Sequence, residues 1–163
     1  MKIGLVHGRF QPFHNGHKFL IDKMLQECDL GVVLIGSPSK RNQKNIFNLA
    51  SRRKMIRAVY GEDRKLFIGA NLDLDDPYSK KSQWDVVFSS CVLSLTGHLP
   101  THVYTVNNNG IVWKRVRPEI IEFNRHKGIS ATDIRELLKN NKFGAVKKLV
   151  PKEVFKIIKA SSS

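Results

Sequence analysis

What this chain has little of narrows the choices first. No apolar stretch among its 163 residues approaches the roughly eighteen needed to cross a membrane. Its first residues also lack the long apolar core of a secretory signal. The expectation is a cytoplasmic protein with no membrane partner. Cysteine is scarce: the two present, Cys28 and Cys91, are far apart, each on an apolar helical face. That suits buried reduced thiols better than a disulfide or a metal site. Acidic residues are outnumbered, with 14 Asp and Glu against 28 Lys and Arg, a formal net charge of +14 and a pI near 10.0. Such a surface draws polyanions, and charge alone does not choose between nucleotides and nucleic acid. The lysines 139, 142, 147, 148, 152, 156 and 159 offer a nucleic-acid contact, but only Phe143 and Phe155 interleave with them. A solvated face is therefore the preferred reading, and nucleic acid the second choice. With 41% hydrophobic residues the chain has enough apolar content for one core, and too little length for two domains.

What is present alternates. A short strand (Ile3, Leu5, Val6) leads to a helix marked by Leu20, Ile21, Met24, Leu25 and Cys28 at helical spacing. Residues 30–35 form a continuous apolar run, the signature of a strand covered on both faces. A basic loop follows over 37–45, then a helix over Leu49–Tyr60, a third strand over 65–69, and a long helix carrying Trp84, Val87, Phe88, Cys91, Val92 and Leu95 that Pro100 closes. A fourth strand is expected over 101–106 and a shorter fifth within 116–123, with Pro118 at an edge or bend. Ser130 to Asp133 opens a helix with a pattern like a capping box. Two short helices complete the chain, over 143–149 and from Pro151 to Ala160. The pattern predicts an α/β fold: an open, parallel, Rossmann-like sheet of about five strands, with helices on both faces and further helices at the C-terminus. Residues 161–163 read as a frayed tail. In such sheets ligands bind beyond the carboxyl ends of the strands. That edge is where residues 8–17, 36–41, 69–73 and 107–110 converge.

The segment Gly8-Arg9-Phe10-Gln11-Pro12-Phe13-His14-Asn15-Gly16-His17 joins the first strand to the first helix. Glycines admit backbone N–H groups to an anion, a helix N-terminus carries about half a positive charge, and Arg9, His14 and His17 add donors. His14 and His17 lie three residues apart on one helical face, so both can hold one polyphosphate. A zinc site is the rival, but neither cysteine nor carboxylate accompanies the pair at ligand spacing.

This segment resembles the His-x-Gly-His signature of the nucleotidyltransferase superfamily, and its Gly-Arg-Phe-Gln-Pro form is similar to archaeal-type nicotinamide mononucleotide adenylyltransferases. The stretch from Gly128 through Ser130, Thr132 and Ile134 to Arg135 is similar to the superfamily's Ser-x-Thr-x-Ile-Arg motif. Weaker echoes are Ile35-Gly36-Ser37, Asn45-Ile46-Phe47 leading to Arg52, the Trp84 helix, and Asn107-Asn108 after the fourth strand. The chain departs from the family at Ile46, Asn48 and Ser51, where Asn-Pro-Phe-Thr before a Glu-Arg pair is usual. It departs again at His7, where an apolar strand residue is common.

The resemblance implies a single nucleotidyltransferase domain over residues 1–160 that condenses nicotinamide mononucleotide with ATP into NAD and pyrophosphate. The alternatives are the same chemistry with another phosphorylated acceptor, such as phosphopantetheine or a cytidylyl-transfer substrate, or a nucleotide- or nucleic-acid-binding module without turnover. His14, His17 and Arg135 are the implied catalytic residues, and Gly8, Arg9, Phe10, Asn107, Asn108, Ser130 and Thr132 join them around ATP. No residue is assigned to a metal; magnesium would come bridging the phosphates. Ser37, Arg52, Asp73 and Trp84 are the implied acceptor contacts. Several have plainer readings: helix caps for Ser130 and Thr132, a surface cation for Arg135, a basic helix face for Arg52, a core ring for Trp84, a solvated loop acid for Asp73, and turn chemistry for Asn107 and Asn108. Relatives often form multimers, so a homo-oligomer is open.

Overall fold

The structure, a computed structural model, describes residues 1–71, 83–106 and 111–162. Five strands form one parallel sheet in the order β3-β2-β1-β4-β5: β1 Ile3–Gly8, β2 Leu30–Ile35, β3 Leu66–Ala70, β4 His102–Thr105 and β5 Glu119–Glu122. The helices are α1 Asn15–Glu27, α2 Leu49–Tyr60, α3 Trp84–Thr96, α4 Ala131–Lys139, α5 Phe143–Leu149 and α6 Lys152–Ser161. The expected α/β architecture is the one observed. Strand order reverses beside β1, so the turn after β1 opens at the switch point where such sheets bind ligands.

Helices cover both faces, but unequally. Side chains of a strand alternate between faces. Val6, Val33 and Ile35 face a cluster built with α1, α2, α4, α5 and α6, whereas Ile3, Leu5, Val32 and Leu34 face α3 and the segment around Trp113. This double burial is why residues 30–35 are apolar without interruption. Helix α2 has the predicted ends because Asn48 Oδ1 accepts the Ser51 N–H at its start (2.8 Å) and Gly61 follows its last turn. Helix α3 ends earlier than expected, at Gly97 in the left-handed conformation (φ 76°) rather than at Pro100. Pro151 caps α6 from outside instead of occupying its first turn, and the Ser161 and Ser162 hydroxyls both donate to Ile158 O. Cys28 and Cys91 are free thiols, Cys28 buried. Among the described residues no helix is long and apolar enough to cross a membrane.

Two buried polar side chains fasten the loops at the switch point. Gln11 bonds the Phe47 backbone in both directions, Nε2 to O and Oε1 from N–H, each at 2.8 Å. Arg52, fully buried, donates to the carbonyls of Arg9 (2.8 Å), Gly36 (2.7 Å), Ser37 (2.9 Å) and Asn48 (3.3 Å). The turn after β1 is thereby tied to the turn after β2.

Candidate active site

A helix leaves its first N–H groups without partners, and in α1 two histidines supply them. His14 is the N-cap, its Nδ1 accepting from the Gly16 (3.0 Å) and His17 (3.3 Å) amides. His17 in turn accepts the His14 N–H on its own Nδ1 (3.2 Å). This is the reciprocal capping box usually made by Ser or Thr with Glu, made here by imidazoles. The rings stack with centroids 3.7 Å apart, and the Phe10 ring meets His17 edge-on at 4.6 Å. A Cβ on Gly16 would stand 2.9 Å from His14 Cε1, so glycine is what lets that ring fold back over the turn.

The cap has a chemical consequence. With each Nδ1 spent as an acceptor, the proton of each neutral ring must sit on Nε2. Burial, with the Arg125 cation adding to it, pushes His14 down to about 4. Burial and the neighbouring His14 hold His17 well below its ordinary value. At neutral pH both are uncharged Nε2–H donors.

The second jaw is the start of α4. Ser130 caps it, its Oγ accepting the Asp133 N–H (3.1 Å) and donating to Asp133 Oδ2 (2.6 Å). Arg135 crosses between the jaws, Nη1 donating to Gln11 O (3.0 Å) and Nη2 to Thr132 Oγ1 (3.2 Å). Burial and the nearby Arg9 cation push its guanidinium below its ordinary value. Between the jaws lies a cleft of about 310 Å³ lined by Arg9, Phe10, His14, His17, Ser130, Thr132 and Arg135, with His7, Gln11, Thr105, Arg125 and His126 among the rest of its wall. Among the described residues no carboxylate lines it. Three guanidiniums, two helix N-termini and neutral imidazole donors make it a site for a polyanion.

Most residues expected around ATP thus meet in one cleft. Gly8 does not line it: it closes β1 behind the Phe10 ring and accepts the Gly36 N–H on its carbonyl (2.8 Å). Asn107, Asn108 and Asp73 lie outside the described residues. The residues expected around the acceptor are less gathered. Ser37 (φ 48°) and Arg52 stand behind the cleft wall, Ser37 giving its carbonyl to Arg52. The Arg52 guanidinium is fully buried and turned into backbone carbonyls, so it is not part of a solvated basic face. Trp84 packs on Phe88 (centroids 5.4 Å) and near His7 (6.5 Å), partly buried on the α3 side. At its base Asp85 accepts the Lys114 and Arg115 amides (3.0 Å each). Burial pushes this carboxyl up, but those amide bonds and the Arg115 cation outweigh it and hold the group below its usual range.

Sequence reasoning missed His7, Gln11, Arg125 and His126 as cleft residues. For His7 the signal was present, since strand alternation sets it on the same face as Ile3 and Leu5. His126 belongs to no motif in the sequence; its ring stacks on Phe19 at 4.8 Å. Gln11 offers no local signal, because its partner Phe47 is 36 residues away.

These features define a class. The chain belongs to the cytidylyltransferase-like family, whose model matches residues 5–137. Among curated relatives it is 34% identical to the nicotinamide-nucleotide adenylyltransferase of Methanococcus vannielii, over 93% of this chain and 84% of that one. It is 44% identical to the enzyme of the same name from Methanocorpusculum labreanum over a shorter stretch, 37% of this chain and 38% of that one. A bifunctional NMN adenylyltransferase/ADP ribose pyrophosphatase from Francisella tularensis, solved with AMP and a manganese ion, shares the fold. Its TM-score is 0.74 at 20% identity, covering 99% of this chain. This chain spans about half of that longer one (53%).

Proposed function

We propose that the chain is an adenylyltransferase joining nicotinamide mononucleotide to ATP, with NAD and pyrophosphate as products. The observation that carries the reading is the cleft itself, two N–H-donating imidazoles facing an Arg-bearing helix N-terminus with no carboxylate between them among the described residues. The archaeal relatives that align along 93% of the chain support the choice of reaction.

An acceptor phosphate monoester is largely ionised at pH 7 and attacks the α-phosphorus of ATP without a general base, so His14 and His17, whose Nδ1 atoms are spent in the cap, need not take a proton. The residues have to hold two anions in line and stabilise charge on the α-phosphate and the leaving group. His14 and His17 do this through Nε2–H donors whose direction is preset by the capping box. Arg135, Arg9, Ser130, Thr132 and the α4 N-terminus hold the β- and γ-phosphates. Among the described residues no cluster of His, Cys, Asp and Glu could bind a metal, and the cationic wall suits a magnesium ion brought in on the phosphates. The substrate is then the magnesium complex of ATP, in which the ion neutralises phosphate charge.

The test is to incubate the purified chain with ATP, magnesium and nicotinamide mononucleotide. NAD and pyrophosphate should appear in equal amounts. Turnover of a different phosphorylated acceptor without NAD would overturn the choice of acceptor. Pyrophosphate release from no acceptor, alongside salt-dependent nucleic-acid binding, would overturn the enzyme reading altogether.

A further inference from the structure

His7 is the departure from the family pattern that reaches the cleft. Strand alternation puts it on the α3 face of β1, after Ile3 and Leu5. There its ring lies 4.3 Å from that of Phe88 and 6.5 Å from that of Trp84. Its Nε2 stands 3.2 Å from Asn71 Oδ1, just beyond β3. A Cβ on Gly36 would be 2.9 Å from the same nitrogen, so glycine at the end of β2 makes room for this ring. Among the described residues it is the one aromatic ring of the cleft wall that packs against α3.

Position and hydrogen bonding together give the ring a task. In-line transfer puts the acceptor and the departing pyrophosphate on opposite sides of the α-phosphorus. Helix α4, with Arg135, packs on the α1 side of the sheet, so the acceptor approaches from the α3 side, where His7 is. Asn71 Oδ1 can only accept, so His7 carries its proton on Nε2 and keeps a lone pair on Nδ1. Asn71 is its only hydrogen-bond partner among the described residues. Resting on the adenylyltransferase reading above, we propose that His7 is a specificity-determining residue for the acceptor. Its Nδ1 accepts an N–H from a carboxamide on the acceptor's ring and turns away a carboxylate, which has no proton to offer. Burial keeps the ring neutral down to about pH 4 despite the opposing pull of Asn71, so the lone pair persists at working pH.

The experiment compares kcat/KM for nicotinamide mononucleotide and nicotinic acid mononucleotide, with ATP and magnesium, in the wild-type chain, His7→Val and Asn71→Asp. The wild type should favour the amide. His7→Val should shrink the amide-to-acid ratio about tenfold, the worth of one hydrogen bond, with the change in acceptor KM and a smaller one in ATP KM. Asn71→Asp should move the ratio toward the acid, because a carboxylate there protonates His7 and turns Nδ1 into a donor. A ratio unchanged in His7→Val of native circular dichroism, or a wild-type preference for the acid, would overturn the assignment while leaving the adenylyltransferase reading intact. Dinucleotide formed from neither mononucleotide would overturn both. Should His7→Val fail to fold, the wild-type preference and the Asn71→Asp shift still decide.

Discussion

The two sides of the sheet treat polar groups differently. On the α1 side five side chains in and behind the cleft wall are paired to backbone: His14 and His17 to each other's amides, Gln11 to Phe47, Arg52 to four carbonyls, Arg135 to Gln11. Among the described residues of this side, Asn45 Oδ1, in the connection from β2 to α2, is buried without a partner. On the α3 side, among the described residues, Ser89 Oγ and Trp113 Nε1 are buried with no hydrogen-bond partner, and Asp85 Oδ1 has only Arg115 Nη1 at 3.6 Å. A buried polar atom left unpaired costs about 1–3 kcal/mol. The difference teaches where precision is concentrated. The half that would hold the triphosphate is fixed by backbone geometry, whereas the half that would meet the acceptor is fastened mainly by ring packing.

The largest effect should come from removing a paired donor on the α1 side. His17→Ala is expected to lower kcat about 10²- to 10³-fold, as loss of a preorganised donor does, while the lost cap bond costs about 1 kcal/mol of stability. His14→Ser separates the two roles, since serine still caps a helix but offers no Nε2–H to a phosphate. Thermal unfolding of this variant should stay close to wild type while its NAD formation stays low. Stability and activity falling together in both variants would mean that the histidines serve the fold alone, and the contrast between the halves would lose its chemical meaning.

A smaller effect, common to both halves, should appear in acid. His7 and His14 are held down at about 4 and His17 well below its ordinary value, chiefly by burial. Above pH 6.5 neither the folded nor the unfolded chain protonates these rings, so their contribution to stability is fully present. Below it the unfolded chain takes up protons that the folded one refuses, and stability is lost as pH falls from 6.5 toward 4, by roughly 3 kcal/mol for a ring moved that far. Urea unfolding at stepwise pH measures this. ATP should protect through His14 and His17, which gain a phosphate partner, and leave the His7 share of the loss in place. A stability flat across that window would show that the rings are not buried as neutral groups.

How much of this was legible in the sequence follows the same division. The turn after β1 and the start of α4 could be read because their chemistry is local: caps, glycines and cations within one helical turn. Arg52 could have been read, since it shares the inward helical face with Met55 and Ile56, but three further cations, Arg53, Lys54 and Arg57, disguised it as a basic patch. The bond from Arg135 to Gln11 spans 124 residues, and no spacing rule reveals it. On the α3 side the contacts of Trp84, Asp85 and His7 come from strand and helix faces meeting at long range, and a stripe of apolar residues does not say which ring borders a ligand.

The smallest effects set one serine against another. Ser130 accepts the Asp133 amide at the start of α4, so Ser130→Ala should cost about 1 kcal/mol in stability and weaken ATP binding. Ser89 is equally a serine of a helix, but its Oγ is buried with no partner among the described residues. Alanine there removes an unsatisfied hydroxyl without opening a large cavity, so Ser89→Ala should leave stability unchanged or raise it by up to about 1 kcal/mol. Paired denaturant titrations of the two variants read the difference directly. A destabilised Ser89→Ala would mean that the hydroxyl has a partner in solution and that the α3 side is fastened as firmly as the α1 side. The looser grip on the acceptor would then have to come from the rings rather than from the polar groups beneath them.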